Sequence, residues 1–547
     1  MRTRCICKRS FLVFMNEIVR QTNGCRTETT RHINTPNMQP ITVWRHFSAR
    51  INGVVYTGVC DYIHSSAVST PIMTINRGWI EIFKTVSGTA FSKNLPDDSS
   101  VKTVFIDGQL KLQRASGIET WQKFLDVQFM YNIQRYLASG ITTLVLAFDD
   151  HGYSPAAKGP TQQKRRSRVT AADWHERMPL PSSIPAEYEI LLFNRTFKTR
   201  VIEFVIESVV KKFHPLLKDG QSIIIDHRGD AMMLHAGGSV TMLVPETPLG
   251  ESDVKFVRYL HLGDMLLDAV DSDYVIIAMN QVEKLQNCGA SKKNMTALPN
   301  IFVRRMLVDI DKVSLADKKR KLQNAGNGRL PREYEHVNIN ILTDAMQKVL
   351  GKIDDRMQGK NAGLRPIEND EQTLRGSTIK VLSYLVALCG CDFTKGIPWF
   401  GPKTLWKNID VVWWGMRRAA LSDQHSGCKA VSPRAIAEYI VSPLWRNVLY
   451  KNHCKQTQTP FTMTDGTNFE ETYAQLASSC NLNARVRDNL ITNNALSCLV
   501  KNCNWVSIYW RDPEQCPDGV EKRFGFVRNS KGLVRFDTDA CLDDAYC

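Results

Sequence analysis

The chain has 547 residues, 43% of them hydrophobic and 23% charged, which is enough for two or three compact domains with buried cores. Seventy Lys and Arg against 55 Asp and Glu give a formal net charge of +15, which favours a polyanionic partner, nucleic acid first and an anionic membrane surface second. The fifteen irregularly spaced cysteines argue against a disulfide framework, and no apolar run reaches the roughly 18 residues of a membrane span.

The first 72 residues differ from the rest of the chain. They hold several arginines and few acids, and they show no sustained period of 2 or 3.6. Three interpretations stay open: a transit-like targeting extension, a disordered arm, or sequence upstream of a later start at Met73. The first would direct the protein to mitochondria. The other two leave a non-secreted protein of the nucleus or cytoplasm.

Short apolar runs that end in acids begin at Val104. The predicted strands are "TVFIDG", "TTLVLAFDD", "SIIID", "VTMLVPE" and "DYVIIAM". Amphipathic segments lie between them, such as residues 121–137 and 201–213. Strands that alternate with helices predict an α/β fold, with a mainly parallel sheet covered by helices on both faces. Ligands of such sheets bind at the carboxyl ends of the strands.

The second half of the chain has a different character. Residues 281–375 form a polar stretch with one clear helical segment, "INILTDAMQKVL", and after about residue 375 the pattern is helical with short connections. We therefore expect a polar insertion followed by a helical region.

Seven acids stand at predicted strand ends and helix starts: Asp107, Asp149, Glu251, Asp253, Asp271, Asp273 and Asp392. Any single pair is explained by helix capping or a turn. Seven acids on one sheet edge would repel one another, and hard divalent cations with oxygen ligands relieve that repulsion. Two such ions about 4 Å apart form a known clamp for in-line phosphodiester displacement. The pattern therefore predicts a two-metal phosphodiesterase.

The order and flanking residues of these acids resemble the flap endonuclease/XPG family of structure-specific 5′ nucleases, in the PIN-like superfamily. "MTINRGWIEIFK" resembles the family's amino-terminal start, and "FIDG" and "LAFDD" resemble its first two strand-end aspartates. "GESD" and "DSD" resemble its acid pairs, and "GCDFTKGIPWFGPKT" resembles its last aspartate with the helix-two-turn-helix that follows. The resemblance spans about residues 73–410, and the last motif is the most specific.

This resemblance implies a PIN-like nuclease domain with a helix-two-turn-helix subdomain. The implied regions are an N-terminal extension (1–72), an N-terminal nuclease region (73–280), the polar insertion (281–375), an internal nuclease region (376–450) and a C-terminal region without an assigned role (451–547). Three residues depart from the family's pattern. Asp253 stands where the family usually has Glu, Asp150 stands where it commonly has Gly, and Trp399 stands in place of the first glycine of its hairpin turn. Asp226 has no counterpart, so we expect a structural role for it. The divergent insertions suggest a fast-evolving or viral source.

Residues 158–168 carry five basic side chains and no acid. By composition alone this is a solvated face or a localisation signal. In the resembled family a basic helix follows the second aspartate and forms part of an arch over the metals. Lys158 and Arg165, seven residues apart, would then face the scissile phosphate, and Arg166 and Arg168 would touch flanking phosphates. Gly401 and Lys403 would contact the duplex backbone.

The leading hypothesis is a Mg²⁺-dependent 5′ nuclease, with two ions replaceable by Mn²⁺, that acts as a monomer on branched or flapped DNA in replication, repair or recombination. One alternative is an RNA-cutting member of the superfamily, either a 5′–3′ exoribonuclease or a host-shutoff type of endoribonuclease. Another is a nucleic-acid-binding scaffold without catalysis. The hairpin motif favours DNA over RNA. Whether the protein binds a sliding clamp stays open. The sequence shows no clear clamp-binding tail motif.

Overall fold

The computed structural model describes residues 43–51, 54–62, 77–96, 100–113, 118–150, 180–243, 245, 247–269, 271, 273–287, 298–306, 334–360, 378–391, 393–394, 396–397, 400–424, 431, 433–445, 493–516, 524, 526–528 and 534–536. The chain divides into two compact units, Met1–Ser69 and Thr70–Cys547.

The first unit contains an antiparallel hairpin of β1 (Val43–Ile51) and β2 (Val54–Tyr62). The strands pair from Val43 opposite Tyr62 to Ile51 opposite Val54. Only Asn52 and Gly53 lie between them in the sequence, and Asn-Gly is the pair that two-residue hairpin connections favour. Hydrophobic periodicity did not predict this hairpin, but its turn residues carry the signal.

The second unit is built on one mixed sheet. Its strands in the described residues are β3 (Phe91–Ser92), β4 (Thr103–Asp107), β5 (Thr143–Ala147), β6 (Ser222–His227), β7 (Asp230–His235), β8 (Val240–Leu243), β9 (Met265–Asp268), β10 (Ile301–Met306) and β11 (Tyr334–Asn338). They are ordered β3-β11-β10-β9-β4-β5-β6-β7-β8. A separate antiparallel pair joins β12 (Phe526–Arg528) to β13 (Val534–Phe536).

The centre of the sheet is parallel and its edges are antiparallel. Strands β10, β9, β4, β5 and β6 pair in parallel, whereas β3 and β11 on one side and β7 and β8 on the other pair antiparallel. The parallel centre puts several strand ends at one edge of the sheet, as the sequence predicted. The α/β prediction is therefore confirmed.

Helices flank this sheet. In chain order they are α1 (Arg77–Val86), α2 (Gly108–Leu112), α3 (Trp121–Leu125), α4 (Tyr131–Ala138), α5 (Tyr188–Leu191), α6 (Arg195–Phe213), α7 (Ser252–Lys255), α8 (Asp273–Asn287), α9 (Ile339–Lys360), α10 (Thr378–Leu388), α11 (Pro402–Lys407), α12 (Ile409–Gln424), α13 (Pro433–Ile436), α14 (Ser442–Leu444) and α15 (Asn493–Arg511). Helices α3 and α4 are joined by a π-helical turn, Asp126–Met130, and a second π turn, Ala437–Val441, follows α13.

Alternate residues of the central strands pack into two separate hydrophobic cores, one on each face of the sheet. Phe105 and Val145 pack on the face covered by α1, α8, α10 and α15. Their chain neighbours Val104 and Leu144 pack on the opposite face, against α3, α4 and α6. Because side chains alternate along a strand, an apolar run without alternation is what a sheet buried on both faces requires.

One sequence prediction fails in this part of the chain. "DYVIIAM" was predicted to be a strand, but Asp273 begins helix α8, and the strand is the preceding Met265–Asp268. A short apolar run fits either a buried strand or a buried helix, so periodicity alone cannot separate them. The polar stretch 281–375 contributes β10 and β11 to the sheet as well as the predicted helix, which is α9.

A buried ionic cluster lies on the sheet face that α3, α4 and α6 cover. Its charged side chains come from α2, β9 and β10. The carboxylate of Asp268 is fully buried, with Lys111 Nζ 3.1 Å from Oδ2 and Arg304 NH1 3.4 Å from Oδ1. Arg304 also donates to Tyr136 Oη at 2.9 Å and lies 3.9 Å over the Tyr334 ring. Burial by itself would raise the pKa of Asp268, but the two cations outweigh it and lower the pKa to about 2.

Replacing Asp268 by Asn should destabilise the fold, because it leaves two buried cations without their counter-charge. We expect a loss of about 3 kcal/mol in the free energy of unfolding at pH 7, measured by urea denaturation. The folded pKa lies below the unfolded value of about 4, so the contribution of the carboxylate is complete above about pH 4. It is lost as the pH falls toward 2, and the deficit of the variant should shrink over that window.

Asp410→Asn is the matched control. Asp410 pairs with Arg356 at 2.8 Å, but both side chains are largely exposed, so the expected loss is below about 1 kcal/mol. Equal losses for the two variants at pH 7 would contradict a stabilising role for the buried cluster.

Candidate active site

Asp107 and Asp149 lie at the ends of neighbouring parallel strands and are joined by one serine. Asp107 is the last residue of β4, and Asp149 follows the end of β5, where Ala147 pairs with Asp107. Ser252 Oγ donates to Asp107 Oδ1 at 3.1 Å, and the backbone N–H of Ser252 donates to Asp149 Oδ1 at 3.1 Å. The first residue of α7 therefore holds both carboxylates.

The sequence "FIDG" explains why Asp107 takes this position. Its carboxylate caps α2 by accepting the backbone N–H of Leu110 at 3.1 Å. A Cβ on Gly108 would lie 2.6 Å from the Phe148 ring and 2.8 Å from the carbonyl oxygen of Ala147. Only glycine fits between β4 and the residues that lead to Asp149, so this close approach sets the spacing of the two carboxylates.

The electrostatics of this pair differ from those of an ordinary ion pair. Asp107 is 6% exposed. Burial, and then the nearby charge of Asp149, raise the pKa of Asp107 to about 6. The state in which both carboxylates are ionised is therefore unfavourable, because their negative charges repel each other. A bound cation would relieve this repulsion.

Lys198 is a site residue that the sequence analysis missed. It is 7% exposed, and its Nζ lies 3.7 Å from Asp149 Oδ2. Helix α6, which carries it, is capped at its start by Asn194. Lys198 lies three residues before Val201 and therefore on the buried face of the helix. A lysine at an apolar position of an amphipathic helix was the available signal.

Glu251 and Asp253 flank Ser252 in the chain and therefore lie beside the two aspartates. Glu251 is 3% exposed and precedes the first helical residue, and Asp253 lies in the first turn, as predicted. The backbone N–H of Asp150 donates to the carbonyl oxygen of Gly250 at 2.6 Å. This bond holds the start of α7 against the end of β5.

Asp271 and Asp273 lie at the start of α8, where the backbone N–H of Asp273 donates to Asp271 Oδ1 at 3.2 Å. The next residue, Tyr274, is fully buried. Burial, and then the charges of Asp107 and Asp253, raise the pKa of Tyr274 well above its ordinary value. We call the described acids together the acidic edge: Asp107, Asp149, Glu251, Asp253, Asp271 and Asp273.

The other predicted site residues of the acid and arch groups lie outside the described residues: Lys158, Arg165, Arg166, Arg168 and Asp392. Within the described part of the chain, no group of three or more His, Cys, Asp or Glu side chains is arranged to hold a metal ion. The chemistry of the acidic edge nevertheless fits a hard divalent cation, because its donors are carboxylate oxygens and because burial, and then the charge of Asp149, raise the pKa of Asp107.

Asp226 is the next-to-last residue of strand β6 and has a structural environment. It is fully buried, and Lys255 Nζ and Tyr259 Oη each lie 2.7 Å from one of its carboxylate oxygens. Arg258 NH1 is 3.9 Å away. These partners neutralise the carboxylate, in agreement with the structural role expected from the sequence.

The loop before α11 differs in detail from the expectation. Gly401 precedes Pro402 with φ −74° and ψ 169°, an ordinary extended conformation, so a positive φ is not the reason for this glycine. Gly396 has φ +74°, and a Cβ there would lie 2.5 Å from the carbonyl oxygen of Cys389. Lys403 forms an exposed ion pair with Glu81 of α1 at 2.6 Å. A positive φ therefore requires glycine at Gly396, as it does at Gly390 earlier in this loop, but not at Gly401.

Neither a protein-family model nor a curated protein sequence matches the chain. Similar solved structures include two of the catalytic core of Rad2 in complex with DNA substrate, complexes III and IV. The first is 12% identical with a TM-score of 0.33, covering 79% of this chain and 85% of that chain. The second is 13% identical with a TM-score of 0.29, covering 77% and 98%. At these values the likeness does not assign the chain to a family.

Gly396 and Gly401 should respond differently to substitution by alanine. Gly396→Ala combines a left-handed backbone with a steric clash, so we expect the free energy of unfolding to fall by about 1 kcal/mol or more. Gly401→Ala should change it by less than about 0.5 kcal/mol. Urea denaturation of both variants gives the comparison. A larger loss at Gly401 would show that its neighbours, not its backbone conformation, require glycine.

Proposed function

We propose that the chain is a divalent-metal-dependent 5′ nuclease of the flap endonuclease/XPG type, which hydrolyses phosphodiester bonds in branched or flapped DNA. The observation that carries the proposal is the pair Asp107 and Asp149, held by Ser252 at the carboxyl ends of parallel strands. This edge is where α/β proteins bind their ligands. Unlike Asp226 and Asp268, this pair combines burial with a neighbouring like charge.

Two Mg²⁺ or Mn²⁺ ions, when bound, would supply an activated water and stabilise the leaving oxygen. The protein contributes fixed oxygen donors. Ser252 and the backbone of Leu110 set the orientation of Asp107, while Ser252 and Lys198 set that of Asp149. The proposed metal ligands are the acidic edge together with Asp392.

The proposed substrate contacts come from basic residues. A net charge of +15 favours a polyanion and gives affinity that falls with salt. We assign Lys158 and Arg165 to the scissile phosphate and Arg166 and Arg168 to its neighbours. Lys403 would exchange its exposed partner Glu81 for a duplex phosphate, at small cost because both side chains are largely in solvent.

The preference for DNA rests on the motif "GCDFTKGIPWFGPKT", which resembles a duplex-gripping hairpin.

We propose that the protein works as a monomer in the nucleus or cytoplasm. In the described part of the chain, no helix combines the length and apolar character needed to cross a bilayer.

Asp149→Ala and Asp271→Ala should each reduce Mg²⁺-dependent cutting on the order of 10²-fold or more, because each removes charge that balances the cations. Substrate affinity should change little, since phosphate contacts elsewhere position the nucleic acid. Single-turnover cleavage and equilibrium binding of a labelled 5′-flap DNA measure the two effects. Asp344→Ala, an exposed change on α9, is the control. Near-normal turnover in either site variant would refute the two-metal assignment.

The same assay with three labelled substrates distinguishes the functions. Cutting of the 5′ flap in preference to plain duplex DNA and single-stranded RNA supports the proposal. Preferential cutting of RNA would establish the RNA-cleaving alternative. Binding without cutting in Mg²⁺ and Mn²⁺ would establish a scaffold.

Lys198→Met should slow cutting about 10- to 100-fold, because Asp149 loses the cation that orients it. Lys198→Arg should restore part of the rate, since it keeps the charge. The control is Lys212→Met on the same helix, where the ammonium pairs with Asp126 at 3.9 Å on the surface. Equal rates for Lys198→Met and Lys212→Met would remove Lys198 from the site.

A further inference from the structure

The β6–β7 hairpin turns at the carboxyl ends of the parallel strands, where Asp149 also lies. Ala147 of β5 pairs with Asp226 of β6. Asp149 and Arg228 therefore each lie two residues beyond this pair, on neighbouring strands. The backbone N–H of Phe148 donates to the carbonyl oxygen of Asp226 at 3.0 Å, which holds the two strand ends side by side. The turn that carries Arg228 is thus at the same sheet edge as the proposed site.

The conformation of this turn is unusual for its sequence. Arg228 and Gly229 connect β6 to β7, and both have a positive φ, 58° and 80°. Two positive φ angles are what a type I′ turn requires, and Asn-Gly is its favoured sequence, as at Asn52 and Gly53 between β1 and β2. In the part of the chain that the structure describes, Arg228 is the single non-glycine residue with a positive φ. Arginine is disfavoured in this conformation, whereas asparagine adopts it more readily.

The side chain of Arg228 reaches helix α6 through a carboxylate that a second arginine shares. Arg228 NH2 lies 2.5 Å from Glu203 Oε1, and Arg200 NH1 lies 3.2 Å from Glu203 Oε2. The Arg228 and Arg200 side chains are 59% and 49% exposed. Ion pairs as exposed as these contribute little to stability. They do not explain why an arginine occupies the left-handed position of the turn.

Helix α6 also contacts the acidic edge. Lys198 Nζ lies 3.7 Å from Asp149 Oδ2, and Arg200 and Glu203 follow two and five residues later on the same helix. Five residues correspond to about 7.5 Å along an α-helix. The two exposed guanidiniums therefore border the site, on the side of the sheet edge where β6 ends.

Two guanidiniums around one carboxylate have an arrangement that also suits a phosphate group. A guanidinium presents five N–H donors in a planar fork that matches the oxygens of carboxylates and phosphates. Arg228 can therefore keep Glu203 as a partner and bind a phosphate through its other donors. Cations in this place would also offset the repulsion between the acidic edge and a polyanion.

We propose that Arg228 and Arg200 bind a phosphate group of the nucleic-acid strand next to the acidic edge. The β6–β7 turn is then a support for this contact, and its left-handed arginine serves binding and not folding. The nature of the ligand rests on the proposed function, whereas the contact itself requires neither a metal ion nor cutting.

Arg228→Asn separates binding from folding, because asparagine is favoured in the left-handed position of the turn. Its unfolding temperature should be unchanged or higher. Binding of a labelled 5′-flap DNA in EDTA, measured by fluorescence anisotropy, should weaken on the order of fivefold at about 50 mM salt. The slope of log Kobs against the logarithm of the salt concentration should become shallower by about 1, because one phosphate contact is lost. Arg200→Gln, which lies outside the turn, should weaken binding in the same way.

Arg135→Gln is the control for a general effect of net charge, since it removes the same charge elsewhere. Arg135 is exposed in the last turn of α4. Helix α4 leads into the start of β5, at the opposite end of that strand from Asp149. We expect its affinity to change less than about twofold.

Wild-type affinity and salt slope in Arg228→Asn would overturn the phosphate site and leave the proposed function standing. A loss no larger than that of Arg135→Gln would overturn it as well. A lower unfolding temperature in Arg228→Asn would also overturn it, because the arginine would then serve its ion pair with Glu203.

The same flap with a 5′-phosphate or a 5′-hydroxyl identifies which phosphate the two arginines bind. An equal loss of affinity on both DNAs assigns them to a backbone phosphodiester, and a loss confined to the phosphorylated DNA assigns them to a terminal phosphate. A wild-type protein that binds the flap but does not cut it in Mg²⁺ would refute the proposed function alone. A wild-type protein that does not bind the flap would refute both.

Discussion

The packing of α8, α10 and α15 depends on how Glu283 is buried. A carboxylate with no exposed surface is stable only if its partners are in place, because an uncompensated buried charge costs several kcal/mol. Its partners are two backbone amides of α10, the guanidinium of Arg511 and, at 3.5 Å, the side-chain amide of Gln347 in α9. The three helices must therefore pack together or not at all. Their packing brings the start of α8, the end of α10 and the last turns of α15 to one side of the sheet.

Two aspartates at neighbouring strand ends lie in opposite electrostatic environments. Asp268 lies between two cations, and its pKa is lowered to about 2, whereas Asp107 lies near another carboxylate, and its pKa is raised to about 6. Their side chains point to opposite faces of the sheet, because Asp268 pairs with Ile106, the residue before Asp107. Two cations thus balance the charge of Asp268, whereas Asp107 has a neighbouring like charge that an external cation would balance.

The sequence analysis predicted the features that a local sequence pattern determines. It missed the features that depend on tertiary contacts. Asp107 and Asp149 were found because each ends or follows a wholly apolar run, which is what a parallel strand requires. Asp273 was placed before a strand because "YVIIAM" is buried on all sides, as α8 is, and such a run carries no period. Lys198 was missed because its partner, Asp149, is far away in the chain. The β1–β2 hairpin was missed because its signal lies in two turn residues and not in its strands.

The burial of Glu283 has a consequence for the order in which the second unit folds during synthesis. Arg511 and Glu283 are 228 positions apart, so their contact closes one of the longest loops in the fold. The strands that carry Asp107 and Asp149 leave the ribosome hundreds of residues before α15, and domains generally fold in the order in which they emerge. A nascent chain therefore holds its central strands before Arg511 is available to Glu283. The ion pair that joins α8 to α15 can form only after synthesis has passed residue 511.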